Sequence, residues 1–298
     1  MENSLTKRLV TIVGVVLLLA LTGYGLIIPG KELPENSMAA EVIPLHLPIP
    51  GFHHGIPNTL PTAIFTTLFL GGIALAYYLS VRKEDKTGEE SRFVLAVDAI
   101  YEVVYSFVED VAGKKFAPQF FPLVGSFFFF ILIANWLGLI PGMGSLWIKG
   151  EHHGEIVKIP MLRSPSADLN TTIGLGIISL VATQYFGLKL QGGKYLKKFF
   201  NFSAPPGAGG GLKPVLIFAN GFAGILELIA EVIKIFSFAF RLFGNVFAGE
   251  VLLMVISFLA SFIAVIPFMG LELFVGLIQA LIFAMLSLIF FRMAAHHH

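Results

Sequence analysis

Long uninterrupted apolar runs dominate the hydrophobic pattern of this chain. Each is about 20 residues or longer, which is the length that a helix needs to cross a hydrocarbon core of about 30 Å. The six runs are Leu9 to Pro29, Leu60 to Val81, Phe121 to Pro141, Asn170 to Leu190, Pro214 to Ser257 and Phe262 to Phe291. Strands of membrane barrels alternate apolar and polar residues, so these runs predict helices. The sequence therefore predicts an all-α integral membrane protein.

The composition excludes a soluble globular domain. Of the 298 residues, 56% are hydrophobic and only 13% are charged, about half the charged fraction that is usual in soluble domains. The absence of Cys excludes disulfides, thiolate metal sites and Cys nucleophiles. A net charge of +1 gives no indication of a nucleic-acid partner.

Basic residues in the connections between the runs predict the orientation, because Lys and Arg tend to stay on the cytoplasmic side. They precede the first run, cluster in the connections 82–115 and 189–213, and follow the last run at Arg292. The intervening connections hold few, or hold comparable numbers of acids. Both termini are therefore expected inside.

Residues 1–30 allow two interpretations. The basic start, the apolar stretch and the small residues near Thr22 are typical of a secretory signal peptide. The length of the run equally suits an extra, uncleaved membrane anchor. Residues 31–298 are expected to form one membrane domain under either interpretation.

Phe93 to Gly113 has helical spacing but is too polar to cross a membrane. Its apolar positions lie on one face: Val97, Ile100, Val104, Phe107, Val108 and Val111. Its acids lie on another face together with Tyr105: Asp98, Glu102 and Glu109. We expect an amphipathic helix on the cytoplasmic surface, packed against protein because its acids would repel anionic lipids.

The Gly- and Pro-rich residues 201–212 are expected to form a linker.

The fifth run is too long for an ordinary crossing. As one helix, residues 214–257 would extend about 66 Å, twice the bilayer core. Either Gly221 and Gly224 break the helix, or it lies steeply slanted in the membrane. A slanted helix would suit contact with a large, round partner.

Charged residues inside the last two runs are the candidates for function, because each costs about 3 kcal/mol or more at mid-membrane. Arg241 is the extreme case, since it lies between long apolar stretches and cannot shed its charge. It must meet an anion, water or a partner. A structural ion pair with Glu250 or Glu272 is the alternative to a functional role.

Helical angles separate these polar residues into groups. One face of the fifth run carries positions within about 40° of Arg241, namely Glu227, Lys234, Ser237 and Asn245. Glu250 points to the opposite side, and Glu272 and Gln279 share a face of the sixth run. Carboxylates thus lie towards both ends of a path with a fixed cation between them, which predicts a proton route in two offset halves.

Four ordered motifs identify a family. Arg241-Leu-Phe-Gly-Asn-Val-Phe-Ala-Gly-Glu250 resembles the signature of subunit a of the F-type ATP synthase. The family's other motifs are resembled by Asn135-Trp-Leu-Gly-Leu-Ile-Pro-Gly142, Pro165-Ser-Ala-Asp-Leu-Asn-Thr-Thr172 and Gln279-Ala-Leu-Ile-Phe-Ala-Met-Leu286. The resemblance covers residues 40–293. It implies five membrane helices, of which the last two are long and slanted.

The resemblance also implies a mechanism and partners. Arg241 would match the arginine that faces carboxylates of a ring of c subunits. Glu227 would be the cytoplasmic acid, and the outer half-channel would hold Asn245, Glu250, Glu272 and Gln279. Asp168 and Asn170 would match the access path, and the b subunit of the peripheral stalk would be a partner within the complete ATP synthase. A bacterial inner membrane is the expected location, with a chloroplast thylakoid as the alternative.

Glu272 departs from the family pattern, because some members carry histidine there. Glu250 and Glu272 could share a proton, bind a metal or line water. The histidines of the outer loops (His46, His53, His54, His152 and His153) are expected to be solvated rather than metal ligands. No cofactor and no resident metal are expected, and the chain shows no ATP-binding motif, so ATP chemistry would belong to other subunits.

Other classes fit less well. A secondary transporter would be expected to show repeats or broken helices. An intramembrane hydrolase would need a Gly-x-Ser-x-Gly or His-Glu-x-x-His motif, and neither occurs. A simple cation pore conflicts with a lone arginine at mid-path. The sequence leaves open whether the coupling ion is H⁺ or Na⁺, and whether His296 to His298 are native.

Overall fold

The computed structural model describes residues 46–47, 56–87, 91–140, 147–152, 155–160, 163–193, 195, 199, 213–259 and 262–295. The predicted first run, the 201–212 linker, the terminal histidines and His53, His54 and His153 lie outside these ranges.

The described residues form six helices: α1 (Thr59–Thr87), α2 (Arg92–Ala112), α3 (Ala117–Gly138), α4 (Leu169–Gln191), α5 (Lys213–Leu259) and α6 (Phe262–Ala295). Each predicted run after the first corresponds to one helix. Within the described ranges, α1, α3, α4 and α6 are long and apolar enough to cross a membrane. These findings confirm an all-α membrane protein.

Two short antiparallel ladders accompany the helices, and the sequence pattern did not predict them. β1 (His46–Leu47) pairs with β2 (Ile56–Pro57), and β3 (Trp147–His152) pairs with β4 (Glu155–Pro160). The second hairpin joins α3 to α4 and leads into a 3₁₀ turn at Pro165–Ala167. It lies in the connection that the orientation rule places outside.

The long helix α5 is continuous over 47 residues. Gly221 and Gly224 lie inside it without interrupting it, which excludes a break as the explanation of its length. At 1.5 Å per residue it extends about 70 Å. α5 differs from α1, α3, α4 and α6 in carrying six charged residues.

α3 forms the centre of the bundle. Its phenylalanines are buried, including Phe120, Phe127 and Phe130, so they pack the core and do not face lipid. Phe120 meets Phe186 of α4 edge to face, with ring centroids 4.8 Å apart, and Phe291 of α6 at 5.8 Å. This aromatic cluster joins three helices by shape and by apolar burial, which fixes the relative positions of α4 and α6.

α2 is amphipathic as predicted, and its apolar positions divide between a packed side and an exposed side. Val94, Tyr101 and Val108, seven residues apart, are the buried stripe. Ile100 and Phe107 are 55% and 48% exposed. Asp98 accepts a hydrogen bond from Tyr77 of α1 at 2.7 Å. Val104 and Val111 are partly buried against the core, and Tyr101 and Tyr105 both meet Phe121 of α3. The packed side of α2 therefore combines apolar positions with tyrosines, and Ile100 and Phe107 point away from it.

Candidate functional site

A polar pocket lies where α3, α5 and α6 meet the loop before α4. It is lined by Asn135, Gly138, Leu139, Ser164, Val246, Glu250 and Glu272. The structure therefore brings together the two carboxylates that the sequence placed in one half of the path. They come from different helices, and both are largely buried.

Arg163, which the sequence analysis did not single out, binds one of these carboxylates. Its Nε and Nη2 both donate to Oε2 of Glu250, at 2.9 and 2.7 Å. The Arg163 side chain is 8% exposed, and that of Glu250 is 25% exposed. Two charge-assisted bonds from one guanidinium fix the orientation of the carboxylate and offset its burial. Arg163 also brings a positive charge to the pocket, which weighs against the metal alternative for Glu250 and Glu272.

The backbone around Arg163 is held tightly against α3. Ser164 donates from Oγ to the carbonyl oxygen of Ala134 at 3.2 Å. A Cβ at Gly138 would lie only 2.8 Å from the Cβ of Ser164, so glycine permits this approach. The guanidinium therefore comes from a fixed segment, not from a free loop.

Glu272 occupies a close crossing of α5 and α6. A Cβ at Gly249 would overlap the Glu272 carboxylate. Asn135 and Trp136 of α3 donate to the carbonyl oxygens of Gly276 and Leu273, at 3.3 and 3.0 Å. These bonds hold the first half of α6 against α3, which positions Glu272 beside Glu250.

Asp168 is buried, but it serves as a helix cap. One oxygen accepts from the backbone N–H of Asn170 at 2.9 Å, and the other accepts from the hydroxyl of Thr59 at 2.9 Å. Both carboxylate oxygens are thus engaged in starting α4 and tying it to α1. Asn170, one position inside α4, is exposed. Neither residue lines the carboxylate pocket.

Arg241 lies on an exposed part of α5. Its Nη2 donates to Oγ of Ser237 at 3.5 Å, one turn earlier. Within the described part of the chain it has no ion-pair partner, and Glu250 is bound to Arg163 instead. The alternative of an internal ion pair between Arg241 and Glu250 or Glu272 is therefore wrong.

A second polar cluster lies between α4, α5 and α6, towards the start of α5. Glu231 is 3% exposed and accepts from Lys234 at 3.1 Å and from Gln184 at 3.2 Å. Glu231 and Lys234 border a pocket together with Ser179 and Thr183. Glu227, the acid chosen from the sequence, is half-buried one turn away and does not line this pocket.

The remaining predicted residues lie between the two pockets. Asn245 is half-buried on α5, and Gln279 is 9% exposed on α6. Neither lines the pocket of Glu250 or that of Glu231. Among the residues that the structure describes, no three His, Asp or Glu side chains are grouped closely enough to hold a metal ion.

Comparisons with known proteins agree with these features. The sequence profile of the ATP synthase A chain family matches residues 63–292. The ATP synthase subunit a of Syntrophobacter fumaroxidans is 36% identical over 202 residues, which are 66% of this chain and 71% of the relative. That of Desulfotalea psychrophila is 33% identical over 192 residues, covering 64% and 67%. That of Desulforamulus reducens is 28% identical over 246 residues, covering 80% of each chain.

The matched region contains every helix described above except the first residues of α1 and the last of α6. It includes the two carboxylates, Arg241 and the Glu231 cluster. The chain thus belongs to the ATP synthase A chain family, the multi-pass membrane subunits that move protons in ATP synthases.

Proposed function

We propose that this chain is the proton-conducting stator subunit of a rotary ATP synthase. It would provide two offset half-channels to a ring of c subunits. Arg241 would face the ring carboxylates and couple proton flow to rotation.

The exposed position of Arg241 carries this proposal. The adjoining flank of α5 exposes large apolar side chains, including Ile233, Phe236 and Phe240, which are 58%, 47% and 53% exposed. A permanent cation beside such an apolar surface needs an anion from outside the chain. A membrane-embedded carboxylate on a partner would stabilise it, and a carboxylate that moves past would be held ionised during the contact.

The two polar clusters support the half-channels. Glu250 and Glu272 face one pocket on the outer side of Arg241, with Asn245 and Gln279 between that pocket and the cation. Glu227 and the neighbouring cluster lie on the cytoplasmic side, given the predicted orientation. Because Arg241 separates the two groups, its positive charge would repel protons that might leak directly between them. Asp168 and Asn170 would border the outer access path.

The partners and the membrane follow from the same proposal. A stator subunit needs the c ring, the b subunit of the peripheral stalk and the rest of the ATP synthase. The relatives named above come from bacteria, which favours the bacterial plasma membrane.

Replacing Arg241 tests the proposal directly. In Arg241→Ala complexes reconstituted into vesicles, we expect ATP-driven acidification to fall below detection, because nothing would hold the ring carboxylate ionised or block the leak. ATP hydrolysis and subunit content, measured on the same vesicles, establish that the complex is assembled.

Arg82→Ala provides the matched control. Arg82 stacks on Tyr78 at the end of α1, with its guanidinium carbon 4.7 Å from the ring centroid. The Arg82→Ala substitution also removes one positive charge, but at a distance from both polar pockets, so proton pumping should be unchanged. If Arg241→Ala vesicles acidify at the wild-type rate, Arg241 is not the coupling cation and the proposal is wrong.

A further inference from the structure

The buried pair of Glu231 and Lys234 has no role in the mechanism described so far. The geometry points to one: Glu231 cancels the positive charge of Lys234, so that protons can use the cytoplasmic half-channel and Arg241 remains the effective fixed cation of α5. This inference rests on the proposed function, because it assigns a task within the cytoplasmic half-channel.

The contacts of Glu231 show a carboxylate held by two helices. Oε1 accepts from Nζ of Lys234 at 3.1 Å, and Oε2 accepts from Nε2 of Gln184 on α4 at 3.2 Å. The Glu231 side chain is only 4% exposed, whereas that of Lys234 is 25% exposed. The carboxylate is therefore fixed by the protein interior, and the ammonium group lies nearer to the opening.

Lys234 is also held by an aromatic ring. Its Nζ lies 4.6 Å from the centroid of the Phe290 ring on α6. A cation over an aromatic face is attracted by the ring, and more strongly where water is excluded. The ammonium group thus has one partner on α5 and one on α6, and it cannot move far from Glu231.

The surroundings of the pair suit proton movement once the charges cancel. Hydroxyls of Ser179 and Thr183 border the same pocket, and Ser179 and Ser287 share a hydrogen bond of 2.8 Å between α4 and α6. Hydroxyls can both donate and accept, so they can take part in a chain of exchangeable hydrogen bonds. A net positive charge beside that chain would repel protons from it.

Position along α5 makes this charge important for the route. Lys234 and Arg241 are the basic residues between positions 214 and 259. They are seven residues apart, which places them on the same face and about 10 Å apart along the axis. At an effective dielectric constant of about 20, an uncompensated positive charge lowers the proton concentration at a point about 10 Å away roughly tenfold. Glu231 is what keeps Lys234 from acting as a second barrier.

The test uses four variants of the assembled complex: Glu231→Gln, Lys234→Gln, the double variant and Glu231→Asp. Passive proton conductance is measured in vesicles after removal of the soluble ATPase sector, and it is normalised to subunit content. We expect Glu231→Gln to lower conductance roughly tenfold. Glu231→Asp keeps the charge and should stay within about twofold of wild type. Lys234→Gln removes the repelling charge and should not lower conductance.

The double variant decides the matter. If charge cancellation is the role of Glu231, removing Lys234 as well should restore conductance to within about threefold of wild type. A purely structural or proton-carrying carboxylate would leave the double variant as slow as Glu231→Gln. Either that result or a normal rate in Glu231→Gln overturns the inference.

If the Glu231→Gln complex does not assemble, Glu231→Asp and Lys234→Gln still test whether Glu231 acts by cancelling charge. Loss of conductance in either assembled variant contradicts cancellation of charge. Arg241→Ala, measured in parallel, separates this inference from the proposed function. Uncoupling by Arg241→Ala together with a normal Glu231→Gln rejects only the inference, whereas normal pumping by Arg241→Ala rejects the rotary proposal itself.

Discussion

At the scale of single residues, the pair of Arg163 and Glu250 determines what the outer pocket can do. Both hydrogen bonds from Arg163 end on Oε2 of Glu250. The guanidinium therefore anchors one carboxylate oxygen and fixes the direction of the other. Glu272, on the facing helix, has no such cation among its described contacts. The two acids of the pocket consequently differ in surroundings, although they are chemically alike.

Breaking this pair should lower stability. We expect Arg163→Gln to reduce the free energy of unfolding by about 3 kcal/mol, because a largely buried carboxylate loses its cation. Thermal unfolding of the detergent-solubilised chain would measure the change, and Arg163→Gln/Glu250→Gln should recover most of it. Lys114→Gln is the control, since Lys114 pairs with Glu109 at 3.9 Å with a side chain that is 92% exposed, and no measurable change is expected. If Arg163→Gln is as stable as Lys114→Gln, the buried pair of Arg163 and Glu250 contributes nothing to stability.

The sequence placed Glu250 and Glu272 in the same half of the path, and both line one pocket, but it could not identify the partners of the polar residues. Ranking charges by depth in the membrane found Arg241, Glu250 and Glu272, because a buried charge is costly wherever it is. It missed Arg163, which lies outside the apolar runs and reaches a partner 87 residues away. Glu227 was preferred to Glu231 by resemblance, and only the packing of α4 on α5 shows which acid is more deeply buried.

At the scale of helices, the crossing of α5 and α6 depends on one glycine. At Gly249 the backbone of α5 leaves room for the Glu272 carboxylate, and a methyl group would overlap it. The approach is close because no side chain intervenes, which is the usual reason for small residues at helix contacts in membranes.

We therefore expect Gly249→Ala to destabilise the chain by about 1–3 kcal/mol and to slow proton conduction by displacing Glu272. Gly270→Ala is the matched control on α6, because a Cβ there would meet nothing within 4 Å. Both changes carry the same intrinsic gain in helix propensity, so the difference between their unfolding midpoints isolates the overlap. A Gly249→Ala chain as stable and as conductive as Gly270→Ala would show that the crossing is not tight.

Helix positions were easier to predict than helix faces. Apolar runs gave the five described long helices to within a few residues, since length in a bilayer is set by the apolar core. For α2, periodicity separated an apolar face from an acidic one but did not show that the packed side includes Tyr101 and Tyr105. Tyr101 and Tyr105 stack at 5.8 Å and both meet Phe121 of α3 edge to face. Such aromatic contacts between distant segments cannot be predicted from the spacing of apolar residues along the sequence.

At the scale of the whole molecule, burial is unevenly shared. α3 is mostly buried, whereas the outer surface of α5 exposes a long series of apolar side chains, among them Phe218, Phe222, Ile229 and Phe240. A contiguous apolar surface that contains a guanidinium suits neither water nor lipid completely. This surface is best explained by a protein partner, which is why the rotary proposal concerns an assembly and not this chain alone.

The length of α5 has a consequence for how positions along the sequence map onto the membrane. A helix of about 70 Å held within a core of about 30 Å would lie about 65° from the membrane normal. Seven residues along it would then change depth by only about 4 Å but shift sideways by about 10 Å. Lys234 and Arg241 would lie side by side at nearly the same depth in the membrane. On such a helix, counting residues measures distance along the plane of the bilayer more than distance across it.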